Sequence, residues 1–157
     1  MALRTGDFGP VSVLSRKMEF EELISVLVAE HAEMKRDLAE VRQAVSKRDF
    51  QSASKVLREL DGLFKQHIAD EEAQVLRVLI DAYGVKGAED AITVFRQHRP
   101  IYDLMEKVKK LAALRIEELA PSEDALRQLF EEHTLAEESR VFPRAISTYK
   151  ERSVDKS

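Results

Sequence analysis

Four histidines and two glutamates in this chain recur at spacings that a helix face can gather. His31, His67, His98 and His133 lie 36, 31 and 35 residues apart. Two of them open near-twin phrases, "HIADEEAQVL" at 67–76 and "HTLAEESRVF" at 133–142. Each reads His, three residues, Glu-Glu, two residues, Val and a large apolar residue. Glu71 and Glu137 follow their histidines by four, and residues four apart share a helical face. The residue three before each histidine is apolar (Val28, Phe64, Phe95 and Phe130), and Met34 and Ile101 follow His31 and His98 by three. That pattern predicts that the four imidazoles and two carboxylates face the interior. Polar groups buried without partners are costly. Two divalent cations sharing Glu71 and Glu137 as bridges, with two imidazoles each, satisfy all six groups at once. Such a site has room for a bridging solvent molecule and leaves an open position for a small ligand. No Glu stands three residues before any His, which excludes the Glu-x-x-His pattern of ferritin-like di-metal bundles.

Long amphipathic helices must carry these residues. The chain has 157 residues, which favours a single domain spanning 1–157. Its 44% apolar and 34% charged content, with only 5 Gly and 4 Pro, predicts an all-α fold. After an irregular lead-in at 1–15, a stripe of Ile24, Leu27, Val28, Met34, Leu38, Val41 and Val45 predicts a first helix over about 17–46. Asp49 caps a second helix over about 49–83, which Gly84 and Gly87 stop. A third runs over about 88–119. Ala120-Pro121-Ser122 breaks it, and Ser122 caps a fourth over about 122–150 with a frayed polar tail. Gly62 inside the second helix costs about 1 kcal/mol relative to Ala. Pro100 inside the third predicts a kink or a restart. Short connections between such helices make an antiparallel up-down-up-down four-helix bundle. At 1.5 Å per residue the four histidines then fall within roughly 9 Å of one another in height, compatible with one layer.

Composition removes other classes. A net charge of −4 offers no footprint for nucleic acid. The absence of Cys excludes disulfides, zinc–thiolate sites and iron–sulfur ligation, and fits a reducing cytoplasm. No apolar run approaches the ~20 residues of a membrane span, and no signal-peptide pattern opens the chain. A cytoplasmic protein without a membrane partner is expected.

The phrases "EHAEM" around His31, "HIADEEAQVL", the isolated His98 and "HTLAEESRVFP" together resemble the hemerythrin-like, or HHE cation-binding, family over roughly residues 20–148. The resemblance implies a non-haem di-iron centre, oxo- or hydroxo-bridged, with His31, His67, Glu71, His98, His133 and Glu137 as ligands. Mn or Zn also suits such ligands. It implies binding of, or reaction with, O₂, peroxide or nitric oxide, or else an iron-binding or sensing role without turnover. One departure stands out. Oxygen-carrying hemerythrins have His-x3-His on the third helix and His-x4-Asp on the fourth. Here "HRPIY" places Tyr102 where the second His would be, and the fourth helix offers Glu137 and Glu138. One nitrogen ligand fewer points away from reversible O₂ carriage and towards peroxide, nitric oxide or iron handling. Tyr102 becomes a candidate neighbour of the metals. Lys35, four after His31, reads as a flanking residue with its amine in solvent. Asp70, Glu72 and Glu138, about 100° from the ligand face, read as solvated.

Overall fold

A computed structural model describes residues 13–155, so most of the lead-in at 1–15 and the last two residues lie outside the described residues. The elements are α1 (Phe20–Ser46), α2 (Phe50–Asp70), α3 (Leu76–Gly87), α4 (Glu89–Ala113), α5 (Leu119–Ala136) and α6 (Phe142–Asp155). Two five-residue π-helical turns, Glu71–Val75 and Glu137–Val141, join α2 to α3 and α5 to α6. The six helices therefore make four rods, and the fold is an all-α four-helix bundle.

Capping explains the starts of α1 and α2. The Glu19 carboxylate accepts the backbone N–H groups of Glu21 and Glu22, so α1 begins at Phe20 rather than near Lys17. Asp49 accepts from Ser52 N at 3.1 Å and caps α2 as expected. Gly84 breaks helical geometry at φ 71°, ψ 173°, a conformation that needs glycine. Four further expectations change. Pro100 neither interrupts nor restarts α4: the proline sits on the exposed face, as does Arg96, whose carbonyl it leaves without a helical partner and open to water. The third rod ends at Ala113, not near 119. Ser122 caps nothing; α5 already starts at Leu119, which puts Pro121 in the first turn, where no N–H is missed, and buries Ser122. The fourth rod stays helical to Asp155, beyond the expected end near 150.

Contacts at the two ends fix the topology as up-down-up-down. Arg48 in the first connection pairs with Glu117 in the last. At the opposite end Lys150 meets Glu21 at 3.4 Å, and the Tyr83 hydroxyl meets Thr148 at 3.1 Å. Among the described residues the apolar core forms two clusters. One, towards the Arg48 end, holds Met34, Leu38, Phe64, Met105 and Phe130. The other holds Phe20, Leu27, Leu76, Val94 and Phe142. A polar layer separates them. Among the described residues no helix is long and apolar enough to cross a membrane.

Gly62 lies within α2, and a Cβ added there meets nothing within 4 Å. Gly62→Ala is expected to stabilise the fold by about 1 kcal/mol, read as a rise in the urea unfolding midpoint at unchanged slope. Gly84→Ala, at positive φ, should move it the other way.

Candidate metal centre

The polar layer is built by all four rods. His31, His67, Glu71, His98, His133 and Glu137 are each at most 5% exposed. They form two groups, His31–His67–Glu71–Glu137 and Glu71–His98–His133–Glu137. Within each group one donor atom per residue lies within 4.8 Å of the others, and such a group could hold a metal ion. The two groups share both carboxylates. Glu71 faces His67 Nε2 through Oε2 at 3.2 Å and His98 Nε2 through Oε1 at 2.9 Å. Glu137 Oε1 lies 3.1 Å from His31 Nε2 and 3.0 Å from His133 Nε2. His31 Nε2 and His67 Nε2 are 3.1 Å apart.

The twin phrases have a shared backbone form. On the second rod the buried positions run Leu57, Leu60, Phe64, His67, Glu71, Val75 and Leu79; on the fourth, Leu126, Phe130, His133, Glu137, Val141, Ala145 and Thr148. From His67 to Leu79 and from His133 to Ala145 the steps are all four, longer than the 3.6 residues of an α-turn. The π-turn that opens at each ligand glutamate absorbs the excess, with Leu76 N bonding to Glu71 O and Phe142 N to Glu137 O. It lets the carboxylate and the following valine both face inward.

The outward ring nitrogens are all occupied, and by a cyclic rule. His67 Nδ1 meets Glu30 of α1 at 3.1 Å, and His98 Nδ1 meets Glu72 of the second rod at 2.6 Å. His133 Nδ1 meets Gln97 Oε1 of α4 at 2.8 Å, and His31 Nδ1 meets Glu138 of the fourth rod at 2.8 Å. Each partner adjoins a ligand in sequence and serves the histidine of the next rod, closing a ring around the bundle. All four partner atoms are oxygens that accept, so each Nδ1 carries the proton and donates it. Each Nε2 is then the titrating nitrogen, turned towards the centre.

Without a cation the layer compensates itself incompletely. Burial works against charge on His98, but Glu71 and Glu72 outweigh it and raise its pKa to about 9. His67 is raised too, as Glu30 and Glu71 overcome its burial. Burial, with the charge on His67, lowers His31 to about 4; burial dominates at His133, lowered to about 3. Burial opposes ionisation of Glu71, yet the proton held by the facing Glu137, with His98 and His67, keeps it ionised; burial and the Glu71 charge push Glu137 up. Glu71 Oε2, His133 Nε2 and both Glu137 oxygens are buried with no hydrogen-bond partner of good geometry. Unpartnered acceptors aimed at one point are what a cation would complete.

Three residues read as solvated belong to this machinery. Glu72 and Glu138 are members of the ring. Asp70 is fully buried. Its carboxylate accepts from Arg16 N at 2.6 Å and from Arg16 Nε at 2.7 Å, while Arg16 Nη2 reaches Glu30 Oε2 at 3.0 Å. Residues next to the inner six lie on the flank where the neighbouring rod arrives, so their 100° offset lets them reach another helix; Asp70 is buried there and Glu72 half-buried, while Glu138 remains exposed as expected and still meets His31. Two inward expectations also fail: at the same offset of three before a histidine, Phe64 and Phe130 are buried whereas Val28 and Phe95 are 37% and 40% exposed, so the −3 position lies at the edge of the inward face and is covered only on the second and fourth rods. Phe142, stacked on His31 with ring centroids 5.7 Å apart, supplies the apolar wall instead, with buried Phe64, Phe130 and Met34. Lys35 is exposed. Tyr102 is partly buried, and its hydroxyl makes no hydrogen bond to the layer; its charged neighbours are Lys65, Glu106, Asp61 and Lys109.

No family model, curated protein or solved structure matches the chain.

Arg16 is the cation against two buried carboxylates. Asp70 would keep Ser15 and the backbone N–H of residue 16 but lose its counter-charge, and the Arg16 side chain is 34% exposed, so Arg16→Ala should lower the unfolding free energy by about 2 kcal/mol. The measurement is a urea titration against the wild type. A loss below the ~1 kcal/mol of a surface pair would show that the segment is only draped over the bundle.

Proposed function

We propose that the chain is a hemerythrin-like protein whose polar layer holds two iron ions and binds or reacts with a small oxidant, O₂, peroxide or nitric oxide. The observation that carries this reading is the convergence of four Nε2 atoms and two shared carboxylates on one buried point, with every Nδ1 turned outward. A set of nitrogen and carboxylate donors with open positions suits non-haem iron. Once bound, the iron pair supplies the electron transfer that side chains lack.

The chain's own part is to position and exclude. The Nδ1 partners hold each imidazole in one tautomer and orientation. Glu71 and Glu137 span both metal positions and offset part of the positive charge. Burial under Phe64, Phe130, Phe142 and Met34 restricts the centre to ligands of a few atoms. Tyr102 occupies the place of a further His, so two imidazoles serve each metal; this favours peroxide, nitric oxide or iron handling over reversible O₂ carriage.

Protein purified in air is expected to carry about two irons per chain, one for each ligand group, with near-ultraviolet charge-transfer absorption. Chelation should lower Tm, and His67→Ala and Glu71→Ala should abolish stoichiometric binding, because metal affinity and folding are linked. No stoichiometric metal, with stability unchanged by chelator, would overturn the reading. Steady turnover with peroxide or nitric oxide would separate an enzyme from an iron-binding or sensing module.

Metal uptake should also release protons. His98, with a pKa raised to about 9, is protonated at neutral pH and must lose its Nε2 proton to coordinate. Affinity should therefore rise with pH up to about 9 and fall as acid restores the proton. Calorimetric titration in two buffers of different ionisation enthalpy, near pH 7.5, should report at least one proton released; none released contradicts the assignment of His98.

A further inference from the structure

The six inner residues form a near-symmetric set, but the ring outside them does not. Three of its members are carboxylates and the fourth, Gln97, is a neutral amide. The half built on His31 and His67 is backed by Glu138 and Glu30. The half built on His98 and His133 is backed by Glu72 and Gln97. A carboxylate behind a metal-bound imidazole makes its Nε2 a stronger donor and fixes the ring, and losing such a partner typically weakens metal binding 10–100-fold. An amide oxygen accepts the same hydrogen bond at 2.8 Å without the negative charge. The better half also has further support. Arg16 Nη2 holds Glu30 at 3.0 Å and Asp70 at 2.6 Å, which ties the segment before α1 to the residue preceding ligand Glu71.

We infer that Gln97 is a positioning residue that makes the two metal positions inequivalent, so that the His31–His67 position fills first and the His98–His133 position is the weaker, exchangeable one. The inference rests on the two-metal reading above and adds an order to it. The weaker position holds its ion less tightly, and access of a small ligand or release of an ion begins there. The inner set gives the halves the same donors, since each has two imidazoles and shares the same two carboxylates.

Zinc, a diamagnetic ion with the same donor preferences, gives the direct test. In the full chain, imidazole ¹⁵N resonances are followed while Zn²⁺ is added. At one equivalent the Nε2 signals of His31 and His67 are expected to shift, with those of His98 and His133 moving only towards the second. Gln97→Glu, which completes the ring of carboxylates, should raise affinity in the second step 10-fold or more and remove the order. Glu138→Gln offers the converse on a side chain that is 37% exposed. It places an amide behind each half and should also abolish the order, by weakening the first step. The inference is overturned if His98 and His133 shift first, if all four move together in the wild type, or if both variants keep the wild-type order. No zinc uptake by the wild type at all would overturn the two-metal reading itself, a result distinct from uptake in the wrong order.

Discussion

Everything in this bundle answers to one constraint, a layer of ionisable groups buried across the middle of an apolar core. Leaving an ion in such a place without compensation costs several kcal/mol. The two apolar clusters on either side cannot supply that compensation, so it must come from within the layer. Part of it is internal: Glu71 keeps its charge beside His98, and Glu137 gives up its own. Part comes from the ring of Nδ1 partners, which draws one residue from each rod. The remainder, four buried atoms of the layer with no hydrogen-bond partner of good geometry, is the deficit that cations would fill. The long rods and short connections then serve a second purpose beyond burying surface. They set four histidines at one depth, so that no imidazole is left to find a partner alone.

The same constraint accounts for the backbone irregularity. A regular α-helix cannot keep His, Glu and Val facing one point at successive steps of four, because each step rotates the side chain about 40° past a full turn. The π-turns at Glu71–Val75 and Glu137–Val141 take up that drift at the ligands, where inward aim matters most. On α1 and α4 only one residue per rod need point inward, and both helices run through the layer without such a turn. The repeated phrase therefore encodes a backbone form as well as a ligand pair. Val75 and Val141, fully buried beside their glutamates, close the turn against the second apolar cluster.

Much of this was legible in the sequence. Apolar steps of three and four, the Asp49 cap and the glycine stop at Gly84 were enough for the four rods and their order. One histidine per rod, with a carboxylate four residues on in two of them, was enough for the six inner residues. Less visible was whatever depends on how two rods meet. Asp70 and Glu72 look solvated on a single helical wheel, because the wheel does not show the neighbour covering its flank, and for exposed Glu138 it does not show His31 within reach. Val28 and Phe95 look inward on the same wheel, which does not show that no neighbouring rod covers the edge of the face where they lie. The adjacency of each ring member to a ligand was a usable signal: a polar residue beside an inward one in a tight bundle sits at the helix–helix seam, where it can reach across. Arg16 lay beyond such reasoning, since nothing local to "LSRKM" announces that it spans to residues 14 and 54 positions away.

The separation between an inner set and an outer ring also bears on how such a site can be tuned. Any substitution among the six inner residues removes a donor from one or both metal positions, and for Glu71 or Glu137 from both. The outer residues would act on a bound metal only through a ring nitrogen, so exchanging a carboxylate for an amide would change donor strength while leaving the donor in place. Glu72, Gln97 and Glu138, unlike buried Glu30, also sit at the seams partly reachable by water, where a charge change is tolerated better than in the core. Chemistry in this fold is therefore most readily adjusted one layer out from where it occurs. Gln97 is the member that already differs, and Arg16 shows how a segment outside the helical rods can enter the same layer through Glu30.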